Sequence, residues 1–223
     1  MNLTFGIEIM IIELFGIVAF AISGAIVGIK KGFDIFGIIV LGVITAVGGG
    51  ALRDVILGIL PPAMFRNSIY VFVAFLTSFI AFLAGTVATV KFKKNKQFFK
   101  DMVNFFDAIG LGVFAVTGTN TAIVNGFADN AFLAIFVGVI TGIGGGMLRD
   151  IMAGKVPFVL YKDIYASAAI VGAVIYYYMY TFKLNPILAV TSAILITILI
   201  RLLATFYHLS LPRIPRIKVD DDE

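Results

Sequence analysis

The sequence predicts an all-α integral membrane protein with seven transmembrane helices, arranged as two inverted three-helix repeats plus a seventh helix. The chain of 223 residues is 61% hydrophobic and 13% charged, whereas soluble domains carry about 25% charged residues. Its mean hydropathy is +1.06, and its apolar runs are long enough for spans of about 20 residues. In addition, the segment Gly48–Asp54 recurs almost unchanged at Gly144–Asp150.

Seven hydrophobic runs predict the helices in order. Together they form one membrane domain, 1–207, followed by a polar tail, 208–223. Repeat 1 spans 8–90, repeat 2 spans 102–182 and helix 7 spans 186–207. The individual runs cover residues 8–29, 35–60, 67–90, 102–125, 130–154, 164–182 and 186–207.

The basic residues predict the orientation of these spans. With the N-terminus outside, only Arg66 and Lys183 of the 17 lysines and arginines fall in outer loops, and Arg53 and Arg149 lie within spans. The others lie at the inner side, as the positive-inside rule requires. We therefore expect a multi-pass cell-membrane protein with a cytoplasmic C-terminal tail. The topology also accounts for the net charge of +4, so we expect no nucleic-acid partner.

The repeat extends beyond the glycine motif. Glu13 matches Asp107, Gly16 matches Gly110 and Ser23 matches Thr117, while Gly58 and Pro61 recur as Gly154 and Pro157. Each copy contains three spans. Because that number is odd, the two copies are predicted to insert in opposite senses, which is typical of transport proteins built from inverted repeats.

The triple glycines lie inside the second and fifth spans, at Gly48, Gly49, Gly50 and at Gly144, Gly145, Gly146. Glycine weakens helices, so we expect a break or kink at each triplet, with freed carbonyl oxygens lining a water-filled pathway for K⁺ or Na⁺. The alternative is that the glycines allow close helix packing.

The intramembrane charges are expected to form two pairs. Estimated depths place Glu13 level with Arg53, and Asp107 level with Arg149. Asp54 and Asp150 are expected to point about 100° away from the neighbouring arginine and to lie at half-helix N-termini, which favour carboxylates. The pairs would either gate an ion pathway or only lock helices together.

Two hydroxyl residues complete the candidate pathway. Ser23 and Thr117 recur beside glycines and could narrow a pore; alternatively, each hydroxyl bonds the carbonyl one turn back. The chain has no Cys and one His, and we find neither a catalytic constellation nor metal-ligand spacing. We therefore expect no enzyme activity, no metal and no cofactor.

These features together resemble the prokaryotic branch of the TRIC (trimeric intracellular cation channel) family. They are the seven spans, the inverted repeats and the duplicated Gly-Gly-Gly-x-Leu-Arg-Asp motif. The resemblance implies a homotrimer with one pore per protomer, running past Gly48–Gly50 and Gly144–Gly146 and conducting K⁺ and also Na⁺. The Lys-Glu-Val signature of animal members is absent, which indicates a prokaryotic cell membrane rather than the endoplasmic reticulum.

Two functions remain open from the sequence. The same repeat resembles putative bacterial glycine transporters, so the alternative to a cation channel is a secondary transporter of a small neutral amino acid such as glycine. Half-helix N-termini near Ala51 and Met147 would suit its carboxylate. The basic run Lys91–Lys100 is expected to set the topology, and it could also bind anionic lipid headgroups.

Overall fold

The computed structural model describes residues 3–91, 96–160, 164–207 and 209. Their regular secondary structure is helical, and the described residues contain no β-strand. Apart from Leu209, the predicted tail lies outside the described residues. The α-helices are α1 (Leu3–Lys31), α2 (Ile35–Ile56), the short α3 (Ala63–Arg66), α4 (Ile69–Lys91), α5 (Lys96–Ala122), α6 (Ala131–Met152), α7 (Ala166–Thr181) and α8 (Pro186–Phe206).

Six of these helices are long and apolar enough to cross a membrane, namely α1, α2, α4, α5, α6 and α8. The sixth predicted span, 164–182, is a shorter apolar helix of 16 residues, α7. Large apolar side chains such as Phe72, Phe132 and Leu195 are exposed on the surface of the bundle. In a membrane, this surface would contact lipid.

The second helix of each repeat begins and ends with the same local devices. Asp34 caps α2 by accepting a hydrogen bond from the backbone N–H of Gly37, and Asn130 caps α6 in the same way. Gly58 and Gly154 have positive φ angles of 68° and 62° and follow the last helical turn of α2 and α6. This conformation is easy for glycine and ends helices. It explains why α2 and α6 end earlier than the predicted limits, 60 and 154.

The predicted breaks at the triple glycines are absent. Both α2 and α6 continue as α-helix through Gly48–Gly50 and Gly144–Gly146. The backbone carbonyl oxygens at these glycines are therefore engaged in helical hydrogen bonds, and no half-helix begins at either triplet. The prediction of glycine-broken helices 2 and 5 was wrong because helical backbone hydrogen bonds persist where packing against a neighbour stabilises the glycines.

The glycines instead allow α2 and α6 to approach each other closely. A Cβ atom on Gly49 would overlap the carbonyl oxygen of Thr141, and one on Gly145 would overlap the carbonyl oxygen of Thr45. The contacts are reciprocal, since Gly49 and Thr45 of one repeat match Gly145 and Thr141 of the other. Small residues allow this kind of approach between membrane helices.

Around this crossing, α1 packs against α2 and α5, and α5 packs against α6. The rings of Phe20 and Phe114, which occupy matching positions, lie 5.3 Å apart between the repeats. By contrast, α8 has no counterpart in the repeat and packs on α5 and α7. The centre of the molecule is therefore formed by the first two helices of each repeat, and these helices carry the predicted charges.

Candidate functional site

The first charged cluster, called here the first triad, consists of Glu13, Arg53 and Asp54. Arg53 Nη1 lies 3.1 Å from Glu13 Oε1, and Arg53 Nε lies 2.8 Å from Asp54 Oδ1. The backbone N–H of Ala63 donates to Asp54 Oδ2 at 2.6 Å. The predicted pair Glu13–Arg53 is present, and Asp54 joins it as a second carboxylate.

The second triad consists of Asp107, Arg149 and Asp150 and repeats the same geometry. Arg149 Nη1 lies 2.6 Å from Asp107 Oδ1, and Nε lies 2.9 Å from Asp150 Oδ1. The backbone N–H of Phe158 donates to Asp150 Oδ2 at 3.0 Å. The predicted pair Asp107–Arg149 is thus present as well. Each triad holds two carboxylates and one guanidinium.

The expected positions of Asp54 and Asp150 were wrong. Because α2 and α6 are unbroken, both residues lie in the last turns of these helices rather than at half-helix N-termini. Each arginine side chain is long enough to fold back onto its neighbouring aspartate despite the angular separation of adjacent residues. The two aspartates also fix the segment after each helix, through the N–H groups of Ala63 and Phe158.

Two tyrosines beside the triads were not predicted from the sequence. The Tyr70 hydroxyl donates to Glu13 Oε2 at 3.0 Å. Tyr165 holds the matching place in the second repeat, buried beside Asp107 and Arg149. The signal in the sequence is weak: Tyr70 lies nine residues after Pro61 and Tyr165 eight residues after Pro157, so the two residues pair only when the comparison skips one position.

The triads differ in their access to surrounding space. A small pocket of about 30 Å³ lies against the first triad. The Glu13 side chain is 13% exposed, whereas the side chains of Asp107 and Arg149 are completely buried. The pocket is lined by Glu13, Ile17, Ala46, Val47, Gly50, Ala51, Arg53, Asp54, Ala63, Met64, Tyr70 and Phe114.

The two hydroxyl residues also differ. Arg149 Nη1 donates to Ser23 Oγ at 2.6 Å, so the second triad is bonded to a residue of the first repeat. Thr117, which matches Ser23, is completely buried, and its hydroxyl makes no hydrogen bond within the described residues. Neither hydroxyl bonds the carbonyl one turn back, although those of Thr45 and Thr141 do.

Positive charges gather at the end of the bundle next to the second triad. Lys155 follows α6. Partial burial, together with the nearby positive charges of Lys31 and Arg149, lowers the pKa of Lys155, while Asp150 opposes this shift. Among the described residues, no group of His, Asp and Glu could hold a metal ion.

This arrangement defines a multi-pass membrane protein made of two similar three-helix units, each with a buried ion-pair cluster. A family model described as "Glycine transporter" matches residues 10–86 and again residues 104–181. The UPF0126 inner membrane protein YadS of Escherichia coli strain K12 is 38% identical over 204 residues, which cover 90% of this chain and 93% of that protein. The chain therefore belongs to the membrane-protein family whose model is described as "Glycine transporter".

Solved structures of TRIC channels share the fold. The TRIC trimeric intracellular cation channel orthologue from Rhodobacter sphaeroides superposes with a TM-score of 0.82 at 31% identity, covering 91% of this chain and 99% of that one. A second TRIC cation channel, studied for the structural basis of conductance, has a TM-score of 0.76 and 37% identity, covering 94% and 98%. The resemblance to TRIC channels inferred from the motif is thereby confirmed.

Proposed function

We propose that this protein is a channel for monovalent cations, conducting K⁺ and also Na⁺, and that it is not an enzyme. The observation that carries the proposal is the first triad with its pocket. There, two carboxylates and one arginine leave an excess of negative charge beside a small pocket of about 30 Å³. Such a cleft concentrates cations and repels anions. The likeness to TRIC cation channels supports the same function.

The pathway in this proposal runs between the two repeats, from the pocket past the crossing of α2 and α6 to the second triad. It passes Gly48–Gly50 and Gly144–Gly146, with Ser23 and Thr117 at its sides. At Gly49 and Gly145 the two helices are in contact, so conduction requires them to separate. The triads then act as gates whose ion pairs rearrange when the pathway opens.

The proposed assembly is a homotrimer with one pore per protomer, surrounded by membrane lipids, with seven spans and inverted repeats. Support comes from the TRIC orthologue, which is described as trimeric. We propose a cell-membrane location with the N-terminus outside and the C-terminus in the cytoplasm. The first triad then lies in the outer half of the membrane and the second triad in the inner half.

A small-solute transporter is the competing function, because the family model carries the description "Glycine transporter". The geometry gives this alternative less support. The half-helix N-termini that would have bound a carboxylate near Ala51 and Met147 do not exist, since α2 and α6 are unbroken. In the first triad, both Glu13 oxygens and the Arg53 Nε and Nη1 groups already have protein partners.

Recording from the purified protein in a planar bilayer separates the two functions. A channel gives unitary current steps, with a reversal potential in a KCl gradient near that of K⁺. Liposomes that take up glycine saturably, from protein that produces no current steps, would instead establish the transporter. Glu13→Gln removes the excess charge beside the pocket and is expected to reduce the preference for K⁺ over Cl⁻.

A further inference from the structure

Among the residues that the structure describes, one buried charge lies outside both triads. Arg201 is in α8, the helix without a counterpart in the repeat, about five residues before its end. The residue is 3% exposed, and its Nε and Nη2 atoms make no hydrogen bond within the described part of the chain. Burying a charged group without hydrogen-bond partners is costly in a membrane, so its presence calls for a physical reason.

The surroundings of Arg201 supply that reason. Its guanidinium carbon lies 4.9 Å from the centre of the Tyr165 ring, a distance typical of a cation–π contact. Tyr165 is completely enclosed, and its hydroxyl group lies beside Asp107 and Arg149 of the second triad. Tyr165 therefore contacts Arg201 with its ring and lies next to the second triad with its hydroxyl group, in a region of low dielectric where charges interact strongly.

The two triads differ in the charged groups that surround them. In each, two carboxylates face one guanidinium, which leaves an excess negative charge. At the second triad, Arg201 offsets this excess from behind Tyr165. The pocket of the first triad is lined by no cation other than Arg53. The repeat makes the two ends of the proposed pathway alike, whereas Arg201 of α8, together with Lys155 after α6, makes them electrically different.

We propose that Arg201 is a conductance-determining residue: it neutralises the second triad through Tyr165 and makes cations pass more readily from the first-triad end than from the second. This inference rests on the proposed channel function. It predicts unequal K⁺ currents in the two directions through a single channel. The ratio of these currents at opposite voltages in symmetric KCl measures the effect, whichever way the protein inserts.

The test compares Arg201→Gln with Arg201→Lys in planar bilayers at low KCl. R201Q exposes the excess charge of the second triad, so the current ratio is expected to move toward one by about a factor of two or more, given that charged clefts raise local ion concentrations about tenfold or more. R201K keeps the positive charge and is expected to keep the wild-type ratio. Size-exclusion profiles check that both variants assemble.

A second substitution changes the charge at the second triad in the opposite direction. Asp107→Asn keeps an acceptor for Arg149 but removes a negative charge, so the current ratio of D107N is expected to move further from one. The double variant R201Q/D107N is expected to return toward the wild-type ratio. D107N also tests the inference should R201Q fail to fold.

The outcomes separate the two proposals. If the wild-type protein conducts cations but R201Q keeps its current ratio, or if R201K changes as much as R201Q, the charge role of Arg201 is wrong while the channel function stands. The same conclusion follows if D107N does not shift the ratio in the opposite direction. A wild-type protein without cation current overturns the channel function, and this inference with it.

Discussion

Arg149 in α6 donates a hydrogen bond of 2.6 Å to Ser23 in α1, across the boundary between the two repeats. The same guanidinium nitrogen also reaches Asp107 in α5 at 2.6 Å. The second triad is therefore anchored by both repeats, whereas the first triad has no corresponding bond from Arg53 to Thr117. This difference between matching residues gives the most direct tests of the structure.

Ser23→Ala is expected to destabilise the protein by about 1–3 kcal/mol, because it removes a hydrogen bond to a buried charged group. The matched control is Thr117→Ala at the equivalent position, where the hydroxyl makes no bond to a described residue. Thermal unfolding in detergent compares the two variants. Equal losses of stability would show that the Arg149–Ser23 bond does not contribute.

Gly49→Ala is expected to disrupt the crossing of α2 and α6, since the added methyl group meets the backbone carbonyl of Thr141, which cannot move aside. Overpacking of this kind costs about 1–3 kcal/mol or more. Gly50→Ala is the control: its methyl group would lie 3.8 Å from the nearest Arg53 atom, and alanine favours helix. Melting temperatures should fall for Gly49→Ala only. A stable Gly49→Ala variant contradicts the close contact.

Tyr70→Phe removes the hydroxyl that donates to Glu13 Oε2 and leaves one oxygen of a partly buried carboxylate without its protein partner. We expect a loss of about 1.5–3 kcal/mol, as for hydrogen bonds to charged groups. Tyr180→Phe, at an exposed position of α7, serves as the control in the same unfolding assay. Indistinguishable melting curves for these two variants would refute a structural role for the Tyr70 hydroxyl.

A double-mutant cycle tests the coupling between Glu13 and Arg53. Removing one partner of a buried ion pair costs about 3–5 kcal/mol, because the other charge stays buried without compensation. The effects of Glu13→Ala and Arg53→Ala on unfolding and on current are therefore expected to be less than additive in the double variant. Simple addition, within about 0.5 kcal/mol, means that the two residues act independently.

The sequence allowed six of the seven proposed spans and both ion pairs to be predicted, because hydrophobic length and the depth of a charge follow from simple geometry. Glu13 and Arg53, and likewise Asp107 and Arg149, could be matched from their distance along adjacent spans. The uninterrupted helices at the triple glycines could not be predicted, because the sequence of one segment does not reveal which helix packs against it. Gly49 remains helical and packs closely against Thr141 on another helix.

Side-chain direction was the second limit of prediction. Adjacent positions on a helix point about 100° apart, yet Arg53 bends back onto Asp54 because its side chain is long and flexible. Tyr70 and Tyr165 were not predicted for a different reason. Each lies beyond a loop that shifts the spacing between the repeats by one residue. The role of Arg201 could not be predicted from the repeat, because Arg201 lies on α8, which has no counterpart in the repeat.

The central claim is that an excess of negative charge beside the first-triad pocket selects cations for a pathway between the two repeats. Single-channel recording in a planar bilayer under a KCl gradient tests it most directly, with wild-type protein beside Glu13→Gln. We predict unitary currents that reverse near the K⁺ potential in the wild type, and a reversal potential shifted toward zero in Glu13→Gln. Wild-type protein that is correctly assembled but gives no unitary current, or currents that reverse near the Cl⁻ potential, would contradict the claim.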